Sequence, residues 1–451
     1  MDISLNIPAG QEAQRKKVNS FIVFIIISFI IATFLRISLL IIYPFIVLFI
    51  GLFYRFRITS SFLILTGIAI FSFLLSLFEN GFLKYKLLSL FYMLPFLLLL
   101  FSDPVPEKGS RVKNLSIFFS CLTLVALIND LTGLVQVFIN PYSDDSFVGI
   151  YSQYSVSLNG LMLLNAILFF YYFVHFLISK KLIHFIPAIF FLCCAVLGYY
   201  GAGLLICMAA FILSFFRFQV KAVFRTLTVG LISLAIVYLF MLTVKPLVLE
   251  YNISNIKKIM TFDPNTGPRK IASFYNYASS YPKNAKDFLF GSGPGTFNSR
   301  SAFMVGSPTY FQMFPFIKDD SQPYYFKNYA YTLWNENNTS KAMYLDGFRN
   351  QPFSSFLAFL GEYGLIFTLI FSWLYYRYYR SVAVNFYRYG DDRVSAVYFR
   401  IFKFLIILLP LLLLIDNFYE YPEIMLLVLL GIKFAHAGLL SQKQNLPENE
   451  H

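Results

Sequence analysis

The side chains best placed to do chemistry lie in one polar stretch of an otherwise apolar chain. Residues 247–352 carry eleven Lys and Arg side chains against seven Asp and Glu. A guanidinium binds a diphosphate through a planar pair of hydrogen bonds, so this basic stretch could face such an anion. A plain solvated loop explains the same composition, and the charge count alone leaves both interpretations open.

Two short motifs within this stretch suggest where an anion would bind. The sequence TGPRK at 266–270 predicts a helix start with Pro268 in its first turn, which places Arg269 and Lys270 at the positive end of the helix dipole. Downstream, FLFGSGPGTF leads into a glycine-rich turn whose N–H groups, at Gly293 and Gly295 among others, could form a small anion nest. The alternatives are a solvated arginine and an ordinary turn.

Aromatic side chains are dense in the same stretch, and they have three possible uses. Some would pack the loop onto the helices, and others would lie at the membrane interface. The remainder could stack on sugar rings, with Tyr275 and Trp334 as candidates and Asn335, Glu336 and Asn337 beside them as hydrogen-bonding groups. This pattern indicates a carbohydrate ligand without specifying one.

The elements that position these residues are membrane helices. The chain of 451 residues is 58% hydrophobic and 13% charged, whereas a soluble domain is about 25% charged. The fold class predicted is therefore an all-α membrane protein, in which residues 247–352 form one large extracytoplasmic loop domain between the ninth and tenth of twelve helices. The twelve apolar runs lie at 20–35, 37–54, 60–78, 87–102, 114–138, 155–178, 184–199, 201–216, 224–246, 353–376, 399–416 and 421–438.

The distribution of charge predicts the orientation. Every second connection is basic, from the segment before the first helix to the run after the tenth, with Arg36, Lys84 and Lys86 as exceptions. Because Lys and Arg are retained on the cytoplasmic side, both termini, residues 1–19 and 439–451, should be cytoplasmic. The formal charge of +13 then reports topology and not a nucleic-acid partner.

The sequence also indicates whether to expect a cleaved signal peptide, disulfides or a metal site. No small-residue cleavage site follows the first span, which is expected to be an uncleaved signal-anchor. The four cysteines lie inside apolar runs without a CxxC pair, so neither a disulfide framework nor a metal site is predicted, and no cofactor is expected.

The order of these motifs resembles the O-antigen polymerase and O-antigen ligase superfamily of bacterial integral-membrane glycosyltransferases. The segments that carry the resemblance are the helix after Arg269 with GSGPGTF at 291–297, SSFLAFLGEYGLI at 354–366 and, more weakly, GIYSQYS at 149–155. Ligases place a His where this chain has Phe353, and YYGAG at 199–203 replaces the usual Ser-Arg pair of the eighth helix. Polymerase is therefore favoured over ligase.

The resemblance implies a reaction at the outer face of the bacterial inner membrane. The growing glycan would pass from undecaprenyl diphosphate to the non-reducing end of another lipid-linked repeat unit, without a metal. Arg269, Arg300 and Arg349 would bind the diphosphate, with Lys270 secondary. The expected partners are the lipid-linked oligosaccharide and membrane lipid, with a chain-length regulator as a further candidate.

The proton acceptor for this reaction is less well defined by the sequence. A carboxylate should replace the missing His, and the candidates are Asp319, Asp320, Glu336 and Asp346. Glu362, near the outer end of the tenth helix, is either part of the acceptor site or a structural hydrogen-bond acceptor, and Asp130 has the same two interpretations. A ligase, a flippase and a scaffold subunit remain as alternative functions.

Overall fold

The computed structural model describes most of the helical part of the chain. The described residues are 43–53, 56–77, 83–104, 112–139, 147–150, 158–198, 200–215, scattered positions between 228 and 257, 269–282, 284–302, 322–333, 352–389 and 393–443. The predicted helix at 20–35, the first part of the one at 37–54 and most of the one at 224–246 lie outside them, as do both termini.

The described chain is built from helices of very different length. The first seven are α1 (Tyr43–Phe53), α2 (Ser60–Leu77), α3 (Leu83–Phe101), α4 (Val112–Ile139), α5 (Leu158–Ser179), α6 (Leu182–Leu197) and α7 (Gly201–Phe215). The remainder are α8 (Arg269–Ser280), α9 (Ala285–Phe290), α10 (Ser355–Ala358), α11 (Gly364–Tyr389), α12 (Arg393–Ile415) and α13 (Pro422–Lys443). No strand occurs among the described residues beyond a single antiparallel bridge between Arg57 and Asp103.

Within the described part of the chain, seven helical segments are long and apolar enough to cross a membrane. They are 60–77, 83–101, 115–139, 159–179, 355–387, 393–415 and 422–440, and three shorter apolar helices, α1, α6 and α7, accompany them. The prediction of a helical, multi-pass membrane protein is confirmed at this level. The total of twelve spans and the separate loop domain remain predictions.

The helices differ sharply in how far they are enclosed by the rest of the chain. In the α13 segment 89% of the residues are buried, against 22% in α2 and 28% in α4. The α13 helix therefore lies at the centre, where it packs against α12 and α3, and apolar side chains such as Leu124 and Leu131 of α4 point outward as lipid-facing surface requires.

The break in the tenth predicted span determines the position of the candidate site. Ser354 caps α10 by accepting a hydrogen bond from the Leu357 N–H, and a π-helical turn, Phe359–Tyr363, joins α10 to α11. Such turns insert an extra residue into a helix and occur often at functional sites. Here the turn brings Glu362 against the glycine-rich segment.

Candidate functional site

Helix α8 begins at Arg269, where the sequence predicted a helix start, and packs along the end of the bundle. Its buried side is made by Ala272 and Ser273, while Tyr275 on the other side is half-exposed. The Arg269 guanidinium donates to the Leu333 carbonyl, and the Lys270 ammonium donates to the Phe353 carbonyl at 3.2 Å. Both predicted anion-binding cations thus lie where the polar stretch meets the spans.

Residues 291–302, here called the glycine loop, wrap around the carboxylate of Glu362. The Gly295 N–H donates to Glu362 Oε2 at 2.6 Å, and the N–H groups of three further loop residues donate to Oε1 at 2.9 to 3.0 Å, those of Phe297, Asn298 and Ser299. The loop does form an anion nest, and the anion it holds is the protein's own carboxylate. Of the two interpretations of Glu362, these contacts support the structural one.

Backbone conformation explains why glycine occurs at Gly293 and Gly295. Their φ angles are +101° and +70°, a region that residues with a side chain rarely adopt. A Cβ would also overlap Ser76 at the first position and the Tyr85 carbonyl at the second. The Gly293 N–H donates to the Glu362 carbonyl at 3.0 Å, so both glycines hold the loop against the span.

Asn298 joins the loop to three other segments. Its side-chain amide donates to Ser273 Oγ of α8 and to the Pro352 carbonyl, each at 3.1 Å, and its Oδ1 accepts from the Ser354 N–H at 2.7 Å. The Asn298 carbonyl accepts from the Asn417 side chain at 2.7 Å. One buried residue therefore positions α8 and the start of α10 through its side chain and the turn that follows α12 through its backbone carbonyl.

That turn, residues 416–421, supplies the second set of acids. The Glu420 carboxylate accepts from the Arg300 N–H, and from the N–H and hydroxyl of Ser301 at 3.2 and 2.5 Å. The buried Arg300 guanidinium lies over the Tyr421 ring, 4.1 Å from its centre. Arg300 is thus held from both sides by the turn, one contact through its backbone and one through its side chain.

The Lys270 and Asp416 side chains form a largely buried ion pair in this region. Lys270 Nζ lies 3.9 Å from Asp416 Oδ2, and the two side chains are 16% and 2% exposed. Burial lowers the pKa of Lys270 to about 8, although Asp416 opposes the shift. Burial also raises the pKa of Asp416, against the effects of Lys270, the Asn417 N–H and Arg300. The two shifts bring the pKa values of this lysine and this aspartate closer together than those of the free side chains, as is common at functional sites.

The pKa of Glu420 is raised, like that of Asp416. Burial, reinforced by the neighbouring Glu362, raises the pKa of Glu420 to about 8, while Ser301 and the Arg300 N–H oppose the shift. Its two oxygens are occupied by three donors from the glycine loop. Glu420 therefore acts here as an anchor for the loop.

The aromatic side chains of the polar stretch divide into packed and exposed ones. Tyr281 is fully buried between Phe297 and Tyr325, at centroid distances of 4.3 and 4.7 Å, and its hydroxyl donates to the Gly361 carbonyl at 2.6 Å. Tyr275 and Tyr324 are half-exposed. Packing thus explains the first group, and a sugar platform at Tyr275 remains a prediction.

The structure brings together part of the predicted site. Arg269, Lys270, Arg300, Gly293, Gly295 and Glu362 belong to one connected region of hydrogen bonds. The other predicted residues, namely Asp319, Asp320, Glu336, Asp346, Arg349 and Trp334, lie outside the described residues.

Sequence reasoning missed the acids of the turn after α12. In the sequence, Asp416 and Glu420 are simply acids at the short connection between the last two predicted helices. Their position between two apolar spans was the available signal, because carboxylates at such a place are expensive to bury and need partners. Which partners they meet could not be read from that spacing.

Comparison with known proteins adds no assignment. The chain matches no protein-family model, and no curated protein matches it in sequence.

Proposed function

We propose that this chain is a membrane glycosyltransferase that polymerises lipid-linked repeat units. It would transfer the growing glycan from undecaprenyl diphosphate to the non-reducing end of another unit. One observation supports this most directly. The two segments that carry the resemblance most strongly, α8 with the glycine loop and residues 354–363, form a single hydrogen-bonded unit, with Lys270 and Asp416 at its edge.

The charges at the two ends of the helices favour an outward-facing site. Helices α2 and α12 end at Leu77 and Ile415, next to the glycine loop, and they begin after Arg57 and at Arg393 on the opposite side. Arginines of short connections are retained in the cytoplasm. The proposal therefore assigns the reaction to the outer face of the inner membrane.

The proposed chemistry uses neighbouring groups of opposite charge. A departing lipid diphosphate needs positive charge, for which Arg269, Lys270 and Arg300 are the described candidates. The attacking sugar hydroxyl needs a proton acceptor, and Asp416 is the described carboxylate nearest to Lys270. Asp319, Asp320, Glu336 and Asp346 remain the sequence-based candidates for the same role.

The side chain of Phe353 supports a polymerase over a His-dependent ligase. It stands where ligases of the resembling superfamily carry a His, and it is 5% exposed in the apolar core. A phenyl ring cannot accept a proton. The proton acceptor must then come from elsewhere, which the proximity of Asp416 to Lys270 would provide.

The test measures the length of the surface polysaccharide in cells whose own gene for this protein is deleted. These cells carry wild type, Lys270→Ala, Arg269→Ala or Asp416→Asn, each present in the membrane at the same level. We expect wild type to restore the ladder of long chains. Each variant should lower polymerisation by about 100-fold, because each removes a charge that acts on the transition state. The matched control is Lys327→Ala, which removes a cation whose side chain is exposed.

The possible results separate the candidate functions. A ladder reduced to one repeat unit in the variants, and full length in the control, supports polymerisation. Long chains that accumulate on the lipid carrier without reaching their final acceptor indicate a ligase, and unpolymerised units held on the cytoplasmic side indicate a flippase. An unchanged ladder in the deletion strain rules out the proposal.

A further inference from the structure

A second polar cluster lies within the membrane-spanning helices. Asn129 and Asp130 of α4, Asn165 of α5 and Cys194 of α6 are all buried, with exposed fractions of 0 to 1%. Asp130 lies roughly 14 Å along the axis from the end of α4 at Ile139, and Asn165 roughly 10 Å from the start of α5. Both side chains are therefore at hydrocarbon depth, where an ionisable group is costly.

The hydrogen bonding of this cluster is incomplete in a specific way. Asn165 Nδ2 donates to Asp130 Oδ1 at 3.1 Å. Asp130 Oδ2 and Asn165 Oδ1 are both buried and have no hydrogen-bond partner among the described residues. Asn129 and Cys194 are further side-chain donors close to the carboxyl.

Both oxygens are acceptors, so a nearby donor such as Asn129 Nδ2 could satisfy Asp130 Oδ2 but would leave Asn165 Oδ1 without a hydrogen. An ionised carboxylate has no hydrogen to offer, so Asp130 Oδ2 cannot bond to Asn165 Oδ1. A carboxylic acid has one such hydrogen, and an acid and an amide can face each other through two antiparallel hydrogen bonds. A single proton on Asp130 Oδ2 would therefore satisfy both oxygens, while the existing Asn165-to-Asp130 bond supplies the second bond.

The surroundings favour a proton over a metal cation. The groups that act on the carboxyl, Asn165, Asn129 and Cys194, are uncharged side chains, and Cys194 is the one titratable group among them. A carboxylate buried without a positive partner takes up a proton instead of staying charged. A bare cation would need several further oxygen ligands, and the two that are unsatisfied are too few for a coordination shell.

We propose that Asp130 binds a proton within the membrane and forms a closed carboxyl–carboxamide pair with Asn165, which joins α4 to α5. The neighbouring Asn129 amide supports the connection between these helices. Gly149 has a φ of +70° and packs so closely on that amide that a Cβ would overlap it. The proton site thus fixes the α4–α5 connection, and it does not depend on the proposed glycosyl transfer.

Thermal unfolding of the full chain in detergent tests the pair with matched variants. Asp130→Asn replaces the O–H donor by an N–H donor of nearly equal size. The double variant Asp130→Asn with Asn165→Asp exchanges the two partners. Both should unfold within about 2 °C of wild type, whereas Asp130→Ala and Asn165→Ala should each lose several degrees, because each leaves a buried polar group without its partner.

A direct measurement keeps the test decisive if a variant does not fold. The infrared spectrum of wild type should contain a carboxylic-acid C=O band at neutral pH that is absent from Asp130→Asn and returns in the exchanged pair. If Asp130→Asn unfolds as early as Asp130→Ala, and replacing Na⁺ by a large organic cation destabilises wild type, a cation occupies the site and the proposal fails. It also fails if Asp130→Ala is as stable as wild type, or if no such band is seen.

Discussion

Glu362 and Asp130 are both fully buried acids in spanning segments, but the donors around them differ in kind. Four backbone N–H groups of the glycine loop converge on Glu362, whereas the donors close to Asp130 are the side chains of Asn165, Asn129 and Cys194. Donors fixed in the backbone oppose the effect of burial, which disfavours the charged form of an acid. Two acids of equal burial are therefore expected to differ in how readily they take up a proton, and the proposal assigns the proton to Asp130.

The strongest way to break this comparison is to remove the first carboxylate. Glu362→Ala leaves four buried N–H groups without an acceptor, and we expect it to lower the free energy of unfolding by more than about 3 kcal/mol. Thermal unfolding in detergent measures the effect. Glu362→Gln, which keeps one acceptor oxygen and the side-chain volume, should fall between alanine and wild type. Equal stability of Glu362→Ala and wild type would contradict the role assigned to the glycine loop.

A smaller effect is expected from moving one donor while leaving the acid intact. Gly295→Ala places a Cβ against the Tyr85 carbonyl in a backbone with positive φ, and should destabilise the fold by about 2 kcal/mol. Gly67 in α2 is the matched control, because a Cβ there meets no described atom within 4 Å. Gly67→Ala should be neutral or stabilising by up to about 1 kcal/mol. Similar losses in both variants would mean that the loop conformation does not matter.

The smallest predicted effect is a pH dependence of ligand binding. It separates the Lys270–Asp416 pair, which carries charge, from the Asp130–Asn165 pair, which is neutral in the proposal. Lys270 must be protonated to bind an anion, and its pKa is about 8, so binding of a soluble diphosphate analogue by the purified protein should weaken as the pH rises from 7 to 9. Folding favours the neutral amine, so the contribution of Lys270 to stability should rise over that range and up to its ordinary pKa.

Lys270→Arg provides the control for this pH dependence. The guanidinium stays charged throughout the range, so this variant should lose the decline in binding between pH 7 and 9. The same decline in wild type and Lys270→Arg would assign it to another group. Asp130→Asn should leave the pH profile of binding unchanged, because that pair carries no charge in the proposal.

Several elements of the candidate site were predictable because their signals are local. Proline in the first turn and the spacing that follows predicted the helix start at Arg269, and α8 begins there. The glycine spacing predicted a turn that presents N–H groups to an anion. The identity of that anion was not predictable, since Glu362 is 67 residues away from Gly295 in the chain.

The acids after α12 show the same limit more clearly. Their position between two spans followed from hydropathy, whereas their burial and their partners did not. Glu420 meets the Arg300 N–H across a separation of 120 residues, and Asp416 meets Lys270, which comes before the tenth predicted span in the chain. Pairings of this kind depend on how the helices pack.

The sequence by itself determined that this protein is helical and crosses a membrane, because a bilayer requires long apolar segments whose backbone groups bond within each helix. It also determined which residues carry charge near the ends of those helices. Only the tertiary structure decided that the glycine loop holds Glu362, that Lys270 faces Asp416 and that Asp130 faces Asn165. The physical reason is that hydrogen bonds act over about 3 Å, and this proximity is created by packing between segments that are remote in the chain.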